Sequence, residues 1–224
     1  MSAVKRSGQT KLSRRQRAEA TQRRIAKAAY TLFCEQGYAA TTMAQVAAKA
    51  GVAVQTVYFT FHTKPALLGR AYEVAVGGED EPLIPEQQPW HAQMRAESDI
   101  TAALRAFVTG SGEIMRRVTP LYFAARLAAE ADPDAARVMV SNETGRAAGY
   151  RRDLELLRAK ALFRPGLSLE RATDLLLMFV GMDAYHALVH GRGWSHEEWI
   201  DWTVSAVAEQ IFAHATCLVA QVPT

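Results

Sequence analysis

The sequence predicts an all-α fold. Apolar residues recur at spacings of three and four along most of the chain, and no stretch alternates apolar with polar residues as a half-buried strand would. Helix starts are marked explicitly, as where Asp132 precedes Pro133 and where Ser195 stands three residues before Glu198. Of the 224 residues, 49% are hydrophobic, so a sizeable core can form without disulfides or metals.

The first elements follow from local signals. Residues 1–12 are polar and basic, and we expect them to form a disordered tail. Ser13 can cap a first helix that runs to about Gln36, and Gly37 suits the position just past its end. The apolar stripe of this helix consists of Ile25, Ala28, Ala29, Leu32 and Phe33.

Residues 41–64 predict two short helices joined by a tight turn, the first capped by Thr41 or Thr42. Gly51 occupies the turn, where a positive φ is cheapest without a Cβ, and the small Ala47 lets the helices cross closely. The inward positions are Val46, Ala47, Ala50, Val52, Val57 and Phe61. The outward positions of the second helix are Val54, Gln55, Thr56, Tyr58 and Phe59. Proteins use such a pair to place a helix in the major groove of DNA.

Further helices are expected along the rest of the chain. Thr63 caps a fourth helix that fades at Gly77, with Pro65 in its tolerant first turn. Residues 77–89 hold three prolines and four acids, which predicts an irregular, mobile linker. The later helices are expected at about 97–117, 120–131, 133–161, 168–190 and 195–219.

Charge is divided unevenly between the two parts of the chain. Residues 1–64 carry eleven Lys and Arg against two Glu, whereas residues 65–224 carry fifteen against twenty-one acids. The formal net charge of +3 therefore hides a basic head on an acidic body. Such asymmetry indicates a polyanionic partner for the head alone.

The motif Ala47-x-x-x-Gly51-Val52, followed by Thr56-Val57-Tyr58-Phe59 and Phe61-x-x-Lys64, resembles the DNA-binding domain of the TetR (tetracycline-repressor-like) family. The resemblance covers roughly residues 14–70. The rest of the chain is similar only in helical layout and in the stretch Gly-Trp-Ser-x-Glu-Glu at 193–198. The resemblance implies a helix-turn-helix domain over 13–66 and a helical ligand-binding and dimerisation domain over 67–224.

The resemblance also implies roles for individual residues. Thr42 would bind a phosphate at the start of the second helix, with Gln45 near the groove. Val54, Gln55 and Thr56 would begin the helix that enters the groove, and the amide of Gln55 would bind adenine. Val54 or Phe59 could contact a thymine methyl. Tyr58, His62 and Lys64 would contact phosphates. Thr60 replaces a frequent aromatic residue and Pro65 a frequent acid, which puts one backbone contact and the neutralisation of Lys64 in doubt. Before the first helix, Arg14 and Arg15 could form an arm that reaches the minor groove.

The last two helices are apolar on more than one face, which predicts a partner surface. In the family that the chain resembles, these helices form a four-helix interface between two subunits; burial within one chain is the alternative. The residues assigned to the interface are Leu175, Phe179, Met182, Ile200, Val204, Val207 and Ile211.

A small-molecule pocket is expected in the body, because aromatic and polar residues occur together within its helices. The candidates are Trp90, Tyr122, Phe123, Asp174, Met178 and Tyr185. Core aromatics and exposed acids are the alternative interpretation. The effector's identity does not follow from the sequence.

Enzymatic and metal chemistry find little support. His186 and His190 lie four residues apart, but no third ligand completes a metal site. Gly110-Ser111-Gly112 sits in a helical pattern, so its glycines favour close helix packing over a catalytic serine. No cofactor is expected, and no apolar run suggests a signal peptide or membrane span. Two distant cysteines, Cys34 and Cys217, fit a reducing cytoplasm.

Together these features predict a cytoplasmic, homodimeric transcriptional repressor that binds a palindromic double-stranded DNA operator and responds to a small molecule. Two alternatives remain open: a helical ligand-binding protein with a secondary DNA role, and a small helical enzyme. A gel shift against the chain's own upstream DNA separates the repressor from both alternatives.

Overall fold

The computed structural model describes residues 13–78 and 84–213. The helices in this part of the chain are α1 (Arg14–Gln36), α2 (Met43–Ala50), α3 (Val54–Phe61), α4 (Lys64–Gly77), α5 (Pro89–Ala96), α6 (Ile100–Ala129), α7 (Pro133–Arg158), α8 (Leu169–Phe179), α9 (Met182–Tyr185) and α10 (His196–Ile211). A 3₁₀ turn spans Pro85–Gln87, and a π-helical turn spans His186–His190. The all-α prediction is confirmed, since the described residues show no strand beyond an isolated bridge between Phe163 and Phe212.

The head, α1 to α3, forms as its local signals predict. The hydroxyls of Ser13 and Thr42 each accept the backbone N–H three residues on, at 3.2 Å, and complete capping boxes. Gly51 ends α2 in the left-handed region, with φ 62°. The turn therefore sends α3 across α2. The residues that close the head core are Ile25, Phe33, Val46, Ala47, Ala50, Val57 and Phe61.

Helix α4 joins the head to the body. It packs on α1 and also on α6 and α7. Two arginines bind the carbonyls at its C-terminal end: Arg23 of α1 donates to Gly78 at 2.9 Å, and Arg117 of α6 donates to Ala75 at 2.8 Å. The expected boundary between residues 66 and 67 falls inside this helix, so the division into domains stays a prediction.

The helices of the body differ from the prediction in two places, at Pro120 and at the end of the predicted linker. Helix α6 continues through Pro120, although a break between 117 and 120 was expected. A helical proline costs about 3 kcal/mol, and the burial of Val118, Leu121 and Ala125 around it offsets that cost. Helix α5 lies at the end of the predicted linker, with Pro89 at its first position, where a missing N–H does no harm.

The predicted helix 168–190 is interrupted. Helix α8 ends at Phe179, and α9 begins after Gly181. Two side chains of α7 satisfy the carbonyl freed at the break: Arg146 donates to Val180 at 3.0 Å, and the Tyr150 hydroxyl donates to it at 2.9 Å. The run Leu169–His190 could cross a membrane by length and composition alone. A single run of this kind is weak evidence, since core helices of soluble proteins also meet the criterion.

Close packing explains the glycines of α6. A Cβ at Gly110 would lie 2.1 Å from the ring of Trp90, and one at Gly112 would lie 2.9 Å from Trp199. The two glycines thus let large aromatic rings lie directly on the helix backbone from different sides. Between them, Ser111 is buried.

Two expectations fall outside the described residues: the disordered tail at 1–12 and the centre of the acidic linker at 79–83; Cys217 lies outside them too. The last helix was expected to reach residue 219, but it ends at Ile211, because Phe212 is extended and pairs with Phe163.

Candidate nucleic-acid interface and ligand cavity

Helix α3 presents an unusually apolar surface for an exposed helix. Val57 and Phe61 hold it to the head core, while Phe59 on the opposite side is 84% exposed and Tyr58 is 50% exposed. Gln55 is also exposed. An exposed phenylalanine beside a tyrosine and an amide on a basic head suits contact with base edges and sugars better than contact with water. Val54 and Thr56 are half-buried at the start of the same helix.

The start of α2 is organised by Thr42 and Gln45. The Thr42 hydroxyl accepts the Gln45 N–H and donates to the Gln45 side-chain oxygen at 2.9 Å. Gln36 donates to the same oxygen at 3.3 Å. Because the Thr42 hydroxyl is already donating, a phosphate bound here would have to draw that hydrogen away from Gln45.

His62 has the one positive φ, 57°, among the described non-glycine residues. It lies at the tip of a tight turn after α3, in which the Thr63 N–H donates to the Phe61 carbonyl at 2.5 Å. Strained backbone of this kind is concentrated at functional sites. The turn leaves His62 exposed beside α3.

Lys64 is engaged within the protein. Its Nζ donates to the Ala39 carbonyl at 3.2 Å and lies 4.3 Å from the centre of the Tyr38 ring. Partial burial lowers the pKa of this ammonium group, and nearby Asp132 raises it. The Tyr38 hydroxyl in turn donates to Asp132 at 3.1 Å, which links the head to the turn between α6 and α7.

The two arginines expected in an N-terminal arm belong to α1. Arg14 and Arg15 are its first two residues, and the Arg15 side chain is 89% exposed, with its Nε 3.0 Å from Glu19. The capping box of Ser13 with Gln16 draws the helix start forward to this point. These arginines are therefore placed on a rigid first turn and not on a flexible arm.

A cavity of about 320 Å³ lies in the body between α4, α5, α6 and α7. Its volume is at the small end of the range for ligand sites. The apolar wall is formed by Val76, Trp90, Ile114, Met115, Val118 and Met139. Trp90 and Tyr122, both predicted from the sequence, line it.

Four predicted ligand residues lie elsewhere. Asp174 is exposed beside Arg171, and Met178 is 56% exposed on α8. Phe123 packs against His186, with ring centres 4.2 Å apart. Tyr185 is buried against α10, where its hydroxyl lies 3.0 Å from His196 Nδ1. Periodicity alone did not show which side of each helix faces the cavity.

The cavity also uses residues that the sequence analysis missed. Tyr72 and Val76 reach it from α4, and Arg146 and Asp153 from α7. A signal existed for Asp153: it lies three residues after Tyr150 and four before Leu157, both of which are buried. An acid within an apolar stripe indicates a specific partner.

That partner is His91. Its Nε2 lies 2.9 Å from Asp153 Oδ1, and both residues are buried. Burial raises the pKa of the Asp153 carboxyl, and the hydrogen bond from His91 opposes this. Deeper in the wall, burial likewise raises the pKa of the Tyr72 phenol.

Most of the predicted interface positions are buried within the chain. Met182, Ile200, Val204, Val207 and Ile211 are each at most 8% exposed, so they offer almost no surface to a partner. The apolar side of α10, which carries Ile200, Val204, Val207 and Ile211, packs against α6 and α8. Leu175 and Phe179 are half-buried, and they stay candidates. With Met178, Trp194 and Trp202 they form an apolar surface, here named the α8–α10 patch, in which Met178 and Trp202 are the exposed members.

A basic helix-turn-helix head on a larger helical body with an internal cavity defines a DNA-binding transcriptional regulator. Comparison with known proteins agrees. Residues 25–71 match the model of a family described as bacterial regulatory proteins, tetR family. The match covers the helix-turn-helix head and the first part of α4, so this segment is a TetR-family DNA-binding domain. A search of curated proteins gave no match.

Solved structures share the fold at low sequence identity. NalD of Pseudomonas aeruginosa, the secondary repressor of the MexAB-OprM multidrug efflux pump, is 18% identical with a TM-score of 0.62, over 88% of this chain and 98% of its own. TylP, a TetR regulator of Streptomyces fradiae, is 20% identical with a TM-score of 0.62, over 91% and 92%. A transcriptional regulator of Saccharomonospora viridis in complex with choline is 14% identical with a TM-score of 0.63, over 88% and 100%.

Proposed function

We propose that this protein is a TetR-family regulator, a cytoplasmic, ligand-responsive repressor that binds a partly palindromic operator as a homodimer. The observation that carries the proposal is the position of α4, which begins beside α3, the helix proposed to enter the major groove, and lines the body's cavity near its other end. NalD, a repressor by description, and the choline-bound regulator share the fold, which supports both halves of the proposal.

DNA recognition is assigned to the exposed face of the head. Gln55 reads a base, Val54 or Phe59 contacts a thymine methyl, and Thr56 supports the start of the helix. Thr42, Gln45, Tyr58, His62 and Lys64 contact or frame phosphates, together with Arg14 and Arg15 on the first turn of α1. A two-fold dimer presents two such heads about 34–36 Å apart, one turn of DNA.

The first test is Gln55→Ala. We expect specific operator binding to weaken by about 1–3 kcal/mol while non-specific binding stays nearly constant, because the amide reads bases and not phosphates. Gel shifts at low salt, with the DNA upstream of the chain's own gene and with a scrambled duplex, measure both affinities. Gln93→Ala, an exposed glutamine on α5, is the control. Equal losses on both duplexes would remove Gln55 as a base reader.

The switch is assigned to α4. Tyr72 and Val76 line the cavity, and Lys64 begins the same helix next to the DNA-binding surface. Arg23 and Arg117 hold its C-terminal carbonyls, so a shift near the cavity is transmitted along a rigid element. In a dimer, such a shift changes the spacing of the two heads.

Linkage sets the second test. A ligand can change operator affinity only by its differential affinity for the two states, typically about 1–3 kcal/mol of coupling. We expect an inducer to bind the free dimer more tightly than the operator complex, by the same factor as it weakens operator binding. Reciprocal titrations measure the two factors. A ligand that fills the cavity and leaves operator affinity unchanged would favour a sequestering protein.

A further inference from the structure

The two arginines that line the cavity are already occupied. Arg146 binds Glu143 at 2.8 Å and donates to the Val180 carbonyl at the break after α8. Arg152 hydrogen-bonds Glu86 of the 3₁₀ turn. An anionic ligand would have to displace one of these partners, because no other Lys or Arg is among the lining residues.

Asp153 differs from these paired groups. Its side chain is 8% exposed, and its partner is an imidazole instead of a permanent cation. Among the described residues, His91 Nδ1 has no hydrogen-bond partner. A protonated His91 would therefore bury an unsatisfied N–H together with a charge, which is costly. The neutral imidazole, donating from Nε2 to Asp153, fits the geometry, and it leaves an ionised Asp153 with a net negative charge at the cavity.

Aromatic rings and an unused hydroxyl complete the site. Tyr72, Trp90 and Tyr122 contribute rings to the wall, and ring faces attract cations. The Tyr72 hydroxyl is buried and has no hydrogen-bond partner in the described part of the chain. It can bind a polar substituent on a ligand without breaking an existing bond.

We propose that the cavity binds an organic cation with an apolar or aromatic body, whose charge is balanced by Asp153 and whose body contacts Trp90 and Tyr72. The inference rests on the proposed ligand-responsive function, since it names the chemical class of that ligand. The bound cation takes the place of the proton on Asp153 and balances the charge of its carboxylate, while the hydrogen bond from His91 is kept.

The proposal carries a definite pH dependence. Burial raises the pKa of Asp153, so the carboxyl becomes protonated as the medium is made acidic. Binding of a cation favours the carboxylate and releases that proton, so affinity falls as pH drops through the pKa of Asp153 and levels off above it. The other ionisable groups around Asp153 are His91 on α5, Glu86 on the 3₁₀ turn, and Arg152 and Tyr150 on α7. An uncharged ligand of the same shape should bind without this slope.

A charge series tests the proposal. Benzyltrimethylammonium, its uncharged carbon isostere neopentylbenzene, and phenylmethanesulfonate differ mainly in charge. In calorimetric titration of the full-length protein at neutral pH, we expect the cation to bind about tenfold or more tighter than the isostere, and the sulfonate to bind weakest. Asp153→Asn keeps an acceptor for His91 and should abolish the preference while retaining the isostere. Asp174→Asn, at an exposed aspartate outside the cavity, should change nothing.

The outcomes separate this proposal from the one on which it rests. Equal binding of cation and isostere, tighter binding of the sulfonate, or no binding of any probe overturns the cation site. Should Asp153→Asn fail to fold, the wild-type pH slope for the cation against the isostere decides the matter in the same way. Cation binding that leaves operator affinity unchanged supports the site but contradicts the proposed switch.

Discussion

Met178→Glu is expected to turn the proposed homodimer into monomers without unfolding the chain. Met178 is 56% exposed, so a charge there is solvated in the monomer but desolvated when two α8–α10 patches meet. Trp202, 38% exposed and packed edge-on against Phe179 and Trp194, extends the apolar surface of this patch from α8 to α10. Loss of more than about 2 kcal/mol of association energy should release monomers at micromolar concentration.

Light scattering and operator binding measure the result. The control is Val140→Glu, an equally drastic change at a residue that is 66% exposed on α7 outside the patch. The control should remain dimeric. A wild type that is monomeric at micromolar concentration, or a Met178→Glu dimer, would reject the patch as the interface.

Val207→Glu is expected to unfold the protein. Val207 is 0% exposed within the chain, so a glutamate there buries an unpaired charge and costs more than about 4 kcal/mol. That loss is comparable with the total stability of many domains, about 5–15 kcal/mol. Circular dichroism on heating distinguishes this outcome from dissociation of a folded dimer.

Gly110→Ala is expected to disrupt the cavity wall and to destabilise the body by about 1–3 kcal/mol. A Cβ at this position would lie 2.1 Å from two atoms of the Trp90 ring, so the ring must move. The indole also donates to Gln88 at 2.7 Å, and this bond would be strained or lost. Chemical denaturation and titration with benzyltrimethylammonium should both report the change.

Gly145→Ala is the matched control. Gly145 also lines the cavity and lies within a helix, but a Cβ there meets no atom within 4 Å. Alanine should therefore stabilise α7 by about 0.5–1 kcal/mol. Equal effects at the two glycines would show that the contact with Trp90 does not control the cavity.

The head could be predicted almost completely from the sequence. Its caps act over three residues, its turn needs the left-handed backbone that Gly51 supplies, and its core follows the helical period through Val46, Val57 and Phe61. Such signals involve residues close together in the chain, so they can be recognised in the amino-acid sequence alone. The positions of Gln55, Tyr58 and Phe59 on the exposed face follow from the same period.

The body was harder because its decisive contacts join distant parts of the chain. Pro120 predicts a helix end, yet burial around it carries α6 onward. Helices apolar on two sides, such as α10, do not reveal which side faces the same chain and which a partner. The sequence analysis assigned Val207 to the subunit interface and Met178 to the ligand cavity, whereas in the structure Val207 is buried within its own chain and Met178 is exposed on α8.

Local sequence therefore determined the fold class, the helix-turn-helix and which of its side chains are exposed, because caps, turns and periodicity act within a few residues. Tertiary structure alone decided where the cavity lies and what charge it presents. Asp153 meets His91 across 62 positions of sequence, and Trp90 meets Gly110 across two helices. Pairing of that kind depends on how whole helices pack, since burial and partner geometry are properties of the assembled core.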